Sequence, residues 1–266
     1  MSSVRLLWRL TAMNVMTTIE YRGAFLVYML NNVLGPLISL LVWLTVSEQG
    51  VALPYTRSQF VTYYVLLSVA AMLTSTWIGA FLVEDIRLGN LTPWLLRPAP
   101  GILSYIGNNL GEKAVKLPLL LPLVAIVAVV FRHDLRPPTD LAAWGLFLLC
   151  LPAAAATAFF LDVTVALLAF WLDDVRGLLR LQVLVGAFLS GRFVPLELFP
   201  PELASFSLVQ PFRYTLSFPL EVLTDALSQR ELWLGLAAQL GYPALLYGLY
   251  RLLWSRGLRR YSATGA

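Results

Sequence analysis

The residues that could do chemistry in this 266-residue chain are few, and the two most informative are charges inside apolar runs. Asp162 sits in FFLDVTVALLAFWLDD, and Arg192 closes LRLQVLVGAFLSGR. Each charge is costly in hydrocarbon, and pairing would offset much of that cost. At 1.5 Å per residue they lie roughly 15 and 20 Å from the same side of two consecutive antiparallel helices. The expectation is therefore an Asp162–Arg192 pair that fixes the outer end of the second of those helices. Proton coupling through Asp162 is the sharper alternative.

Covalent chemistry finds no support. The nearest approach to a phosphate loop, Gly107-Asn-Asn-Leu-Gly111-Glu112-Lys113, lacks the Gly-Lys-Ser/Thr ending and a preceding strand. One histidine, His133, stands in a charged turn beside Asp134, and one cysteine, Cys150, lies in an apolar run. Metal-ligand spacing, an intramembrane Ser–His dyad and an intrachain disulfide are thereby excluded. No catalytic residue, metal or bound cofactor is assigned, and the chain is not expected to be an enzyme.

The elements that must position these residues are membrane spans. Hydrophobic side chains make up 59% and charged ones 13%, about half the charge of a soluble domain, where roughly 25% is usual. Six runs are apolar and about long enough to cross a bilayer, near 23–46, 59–83, 115–131, 142–171, 179–194 and 232–254. The fold class expected is an all-α integral membrane protein, one transmembrane domain over 1–266 without a nucleotide-binding domain. Thirteen of the nineteen Lys and Arg residues fall on the side that holds both termini. The positive-inside bias then places those termini in the cytoplasm of a multi-pass inner-membrane protein. The net charge of +4 is explained by that topology, and no dense basic run with interleaved aromatics points to nucleic acid.

Three connecting pieces stand out. Residues 4–22 read as an amphipathic helix lying along the cytoplasmic interface, with Trp8 at headgroup depth. Between spans two and three, Glu84-Asp85-Ile86-Arg87 ends a helix and Gly89-Asn90 breaks it. Thr92-Pro93 then caps a short helix carrying Trp94, Leu95 and Leu96 before Arg97-Pro98. Between spans five and six, Ser190 to Glu221 carries Pro195, Pro200, Pro201, Pro211 and Pro219 together with six Phe and Tyr residues. It is too broken to span and too apolar for a solvated loop.

Three stretches together resemble the membrane subunit of ABC-2 type transporters. They are Gly191-Arg-Phe-Val-Pro195-Leu-Glu-Leu-Phe-Pro200 with Gln210-Pro211-Phe-Arg-Tyr214, then Arg87-Leu-Gly89-Asn-Leu91 leading to Leu95-Leu-Arg97-Pro98, and Arg256-Gly257-Leu-Arg-Arg-Tyr261 near the C-terminal end. The second and third are similar to a subgroup catalogued as ABC-2 family transporter proteins of unknown function. The resemblance implies an N-terminal interfacial helix, six transmembrane helices, a cytoplasmic coupling helix after span two and a re-entrant helical segment between spans five and six. It implies a permease working as a dimer with a second permease subunit, driven by a separate ATP-binding cassette ATPase that uses ATP and Mg. The cargo implied is a hydrophobic or amphipathic substrate exported across the cytoplasmic membrane by alternating access. On this chain the coupling residues would be Glu84, Asp85, Arg87, Trp94 and Arg97. The re-entrant gate would comprise Gly191, Pro195, Glu197, Pro200, Pro211, Arg213 and Tyr214, and the route would be lined by Tyr63, Tyr64, Trp77, Phe188 and Phe193. The competing readings are an ion-coupled secondary transporter using Asp162 and a non-transporting membrane scaffold.

Overall fold

A computed structural model describes residues 3–20, 22–51, 53–96, 101–224 and 227–261; its description of side chains covers 5–16, 32–51, 53–93, 95–96, 101–224 and 227–261. All the regular structure among these residues is helical. Helix α1 (Ser3–Glu20) precedes α2 (Arg22–Glu48), α3 (Arg57–Thr74), α4 (Ile78–Arg87) and the short α5 (Thr92–Leu95). Then follow α6 (Ile102–Val130), α7 (Leu141–Ala166) with a 3-10 turn at Leu167–Phe170, α8 (Arg176–Leu189), α9 (Pro201–Ser207), α10 (Ser217–Leu223) and α11 (Gln229–Gly257).

Local signals account for the helix starts. Thr56 and Gln59 form a reciprocal capping box on α3, Ser228 and Glu231 do the same on α11, and Asp140 caps α7 through the Ala142 N–H. Pro36, Pro118, Pro122, Pro152 and Pro243 lie inside long helices. Neighbouring spans can satisfy the carbonyls that such prolines free. Four units are long and apolar enough to cross a membrane among the described residues: 57–87, 102–130, 141–170 and 229–257. Residues 32–48 of α2 add a shorter apolar stretch. Helix α7 is the pillar, touching α3, α4, α8, α10 and α11.

Three expectations from the sequence need correction. The second span is not continuous: α3 stops at Thr74 and α4 starts at Ile78. The third apolar run belongs to a helix that begins at Ile102, so Lys113 and Lys116, counted among the charges of the connection, are helix residues, and Glu112 and Lys116 are buried. The fifth helix ends at Leu189, because Gly191 takes a positive φ of 80° and turns the chain. Arg192 therefore stands in the turn after α8, not inside it.

The failed phosphate loop finds its use in packing. Gly107 and Gly111, four apart on one face of α6, receive α1. A Cβ at Gly107 would lie 2.9 Å from Leu10 Cβ, and one at Gly111 would lie 2.9 Å from Asn14 Cβ and from the Thr11 carbonyl oxygen. Small residues at that spacing allow two backbones to approach closely. Gly111→Val should cost about 1–3 kcal/mol through overpacking and lower the thermal unfolding midpoint of the purified protein. Gly145→Val, placed where nothing lies within 4 Å, should leave that midpoint unchanged.

Candidate functional site

The break between α3 and α4 leaves backbone groups without partners in their own helices. Both sides of the break are capped by other spans. On the α3 side, the Ser75 carbonyl accepts from Lys113 Nζ at 2.6 Å and from Asn109 Nδ2 at 3.3 Å, both on α6. On the α4 side, Asp162 Oδ2 on α7 accepts from the Gly79 N–H at 2.7 Å and from the Thr76 hydroxyl at 3.3 Å. A cation thus meets a helix C-terminus and an anion a helix N-terminus, the arrangement each half-helix dipole favours. A Cβ on Gly79 would fall 2.6 Å from Asp162 Oδ1, so glycine is what lets the carboxylate reach the backbone.

A second buried charge set braces the same place. Glu112 and Lys116, one turn apart on α6, form an ion pair, and Trp77 Nε1 in the break donates to Glu112. Lys116 Nζ also lies 5.7 Å from the Trp77 ring centroid.

The expected Asp162–Arg192 pair is not made. Asp162 spends its charge on the α4 N-terminus, while Arg192 has been carried past the end of α8 by the turn at Gly191; both side chains line one cavity, without an ion pair between them. The buried pair of the 190–221 segment is Arg213–Glu221, with Arg213 Nε 3.1 and 3.2 Å from the two carboxylate oxygens. Ser217 Oγ adds a 2.8 Å bond to Glu221, and the guanidinium lies over the Tyr214 and Phe218 rings.

Tyr63 and Tyr64, expected as route-lining residues, are packed inside this chain. Both are buried, with their hydroxyls donating at 2.8 Å to the carbonyls of Gly191 and Phe193. Trp43 Nε1 joins them at 3.1 Å on Phe193 O. Trp77 does line the cavity at the break. Phe188 and Phe193 meet edge to face, 5.3 Å between centroids, at the exposed surface. Among the remaining gate residues, Pro195, Arg213 and Tyr214 are buried, Pro211 is half-buried, and Glu197 and Pro200 are exposed. The Tyr214 hydroxyl ties back to Leu208 O at 2.8 Å.

Of the residues expected to couple to a partner, Glu84 and Arg87 are exposed on α4, and Asp85 accepts from the Tyr105 hydroxyl. Arg97 and the side chain of Trp94 lie outside the described residues. Leu88, Leu95 and Leu96 are exposed around α5. One anchor of this region went unforeseen. The Tyr261 hydroxyl accepts from the Leu91 N–H at 3.1 Å and lies 3.2 Å from Thr92 Oγ1, holding the start of α5 to the end of α11. Tyr261 also stands edge-on to Phe170, whose ring fills the space left by Gly257.

Two outcomes follow from these contacts. Removing either member of the Arg213–Glu221 pair (Arg213→Met or Glu221→Met) should destabilise the protein by about 3–5 kcal/mol, while the double Met variant recovers most of that loss; thermal unfolding in detergent reads both. Asp162→Leu should cost about 1–3 kcal/mol by orphaning the Gly79 N–H, while Asp162→Asn, which keeps an acceptor, should cost clearly less in the same assay.

The comparisons with known proteins agree with this architecture. No curated protein matches the sequence. A family model described as ABC-2 family transporter protein matches residues 30–265. With that match running over most of its length, a chain of long apolar helices around a broken span belongs to the ABC-2 family of transporter proteins and is a membrane permease of that type.

Proposed function

We propose that this chain is the permease subunit of an ATP-driven exporter in the inner membrane, with both termini in the cytoplasm and six spans formed by α2, α3 with α4, α6, α7, α8 and α11. A separate ATP-binding cassette subunit would bind and hydrolyse ATP with Mg, and a second permease subunit would complete the translocation path. Helix α1 lies along the cytoplasmic interface in this reading, and the segment from Gly191 to Glu221 re-enters the membrane as the outer gate.

The observation that carries the proposal is the capped break at Ser75–Trp77. Helix α4 runs directly into the α5 region, so a push on α5 reaches α4, and the break lets α4 move against α3 without unwinding either. Polar caps from α6 and α7 offer the two half-helices a defined resting arrangement. The exposed Arg87, Leu88, Leu95 and Leu96 form a mixed cationic and apolar patch suited to a protein partner. The tie from Tyr261 makes α11 follow the same movement.

Asp162 supports this reading over an ion-coupled one. Its carboxylate is already committed to a backbone N–H and a hydroxyl, which gives it a structural task.

Co-expression with a Walker-type ATPase encoded nearby tests the proposal. The two proteins should co-purify, and Arg87→Ala or Leu96→Asp should weaken their association by about tenfold while membrane insertion is kept. Trp94→Ala should act in the same direction. Undiminished co-purification and unchanged substrate-stimulated hydrolysis in all three variants would remove α5 as the coupling element.

A further inference from the structure

At the end of the bundle opposite the α4–α5 surface lies a cavity of about 440 Å³, walled by the start of α3, the turn from α6 to α7 and the end of α10. That volume falls within the usual range of small-molecule sites. Eight of its eleven lining residues carry a polar group, and Tyr55 adds an aromatic wall. Gln59, Arg136, Thr139 and Asp140 are exposed, so their side chains are open to a ligand.

These polar groups are held in place with bonding capacity left over. The Arg136 N–H donates to the Thr62 hydroxyl at 3.0 Å, and that hydroxyl lies 3.2 Å from the Arg136 carbonyl, which clamps the turn to α3. The Arg136 guanidinium has no hydrogen bond or ion pair among the described residues. Asp140 Oδ1 accepts from the Ala142 N–H at 2.9 Å, which leaves Oδ2 open. Gln59 spends its carbonyl oxygen on the Thr56 N–H and hydroxyl at 2.8 and 2.9 Å, which leaves its NH₂ group open. Arg136 and Asp140 thus carry opposite charges beside one cavity without pairing to each other.

That set selects by chemistry. An anion taken by Arg136 would face the Asp140 carboxylate, and a cation taken by Asp140 would face the guanidinium. A small amino acid would answer both charges and leave much of the volume empty. A neutral molecule rich in hydroxyls meets the whole set, because every hydroxyl both donates and accepts. Neighbouring hydroxyls of a sugar ring place two oxygens side by side, as the guanidinium fork requires.

We infer that this cavity binds a mono- or disaccharide. Two of its hydroxyl oxygens accept from Arg136, another hydroxyl donates to Asp140 Oδ2, the Gln59 amide donates to a ring substituent, and the C–H face lies against Tyr55. Leu223 and Thr224 form the α10 wall, so an occupant would join the start of α3 to the root of the 190–221 segment. The inference does not rest on the permease reading, and its failure would leave that reading as it is.

The test places the purified full-length chain in nanodiscs of phosphatidylcholine and phosphatidylglycerol, prepared without sugar-based detergent. Saturation-transfer difference NMR is recorded with maltose, cellobiose, N-acetylglucosamine, glycine and acetate. At least one sugar should show transfer, and glycine and acetate should show none. Arg136→Leu should weaken sugar binding about tenfold, and Asp140→Asn, which keeps the helix cap, about threefold. Arg132→Leu, on the same turn but outside the cavity, should leave binding unchanged. The Arg136 guanidinium has no protein partner to lose, so Arg136→Leu should keep the thermal midpoint, and lost binding then reports the site rather than the fold. The dodecyl glycoside of the bound sugar, added below its micelle-forming concentration, separates two sources of the ligand. Displacement at far lower concentration than the sugar itself assigns the site to a glycolipid headgroup, and displacement at equal concentration assigns it to a free sugar. No transfer to any of the three sugars, undiminished transfer in Arg136→Leu, or transfer to glycine or acetate in their place would overturn the inference.

Discussion

An interrupted helix inside a membrane must have its loose backbone groups answered by protein, because lipid supplies no donors or acceptors. That requirement organises this molecule. The break after Thr74 exposes the Ser75 carbonyl and the Gly79 N–H, and the chain spends Lys113, Asn109 and Asp162 on them. These side chains come from α6 and α7, so three spans are pinned at one level by a defect in one of them. Glu112 and Lys116 pair beside the same point, and Trp77 bonds to that pair. Charges that would be prohibitive singly are admitted because each completes a helix end or another charge.

The other end of the bundle is held differently. There the constraint is a proline-rich segment that cannot form long helices, so its carbonyls must be bonded by side chains. Tyr63, Tyr64 and Trp43 donate to Gly191 and Phe193, and Gln239 Nε2 reaches both Cys150 O and Tyr214 O. Every residue of α10 is buried, and the Arg213–Glu221 pair lies at its root. One end of the second span is thus the seat for this segment, and the other end is interrupted and carries the exposed α4–α5 surface. A single span joins the two.

Much of this was legible in the residues. Helical class, the apolar character of the long helices and the broken character of 190–221 all follow from hydropathy and proline chemistry, whereas Thr92, expected as an N-cap, is the first residue of α5 with its hydroxyl on Gly89 O. Asp162 was legible as an expensive buried charge, but its partner was not. Depth counting assumes unbroken helices, and the break after Thr74 carries no proline to betray it. The weak signal was the run Thr74-Ser75-Thr76 with Gly79 close behind: three hydroxyl residues, poor in helix interiors, and a glycine against which a side chain can close. Lys113 and Lys116 misled for the opposite reason, since charges near an apolar run look like a boundary when they are in fact brackets for a neighbouring span. Gly107 and Gly111 resembled a nucleotide loop only by spelling; their spacing on a helix is that of a packing face.

Tyr261 sets a condition on the order of synthesis. Its hydroxyl completes the start of α5 from 170 residues further along the chain, after α11 has been made. Until that residue leaves the ribosome and α11 has packed on α7, the Leu91 N–H has no such acceptor and the start of α5 lacks this tie. A chain that stops short of Tyr261 therefore lacks this contact, and the geometry of α5 depends on the last described residue of the chain.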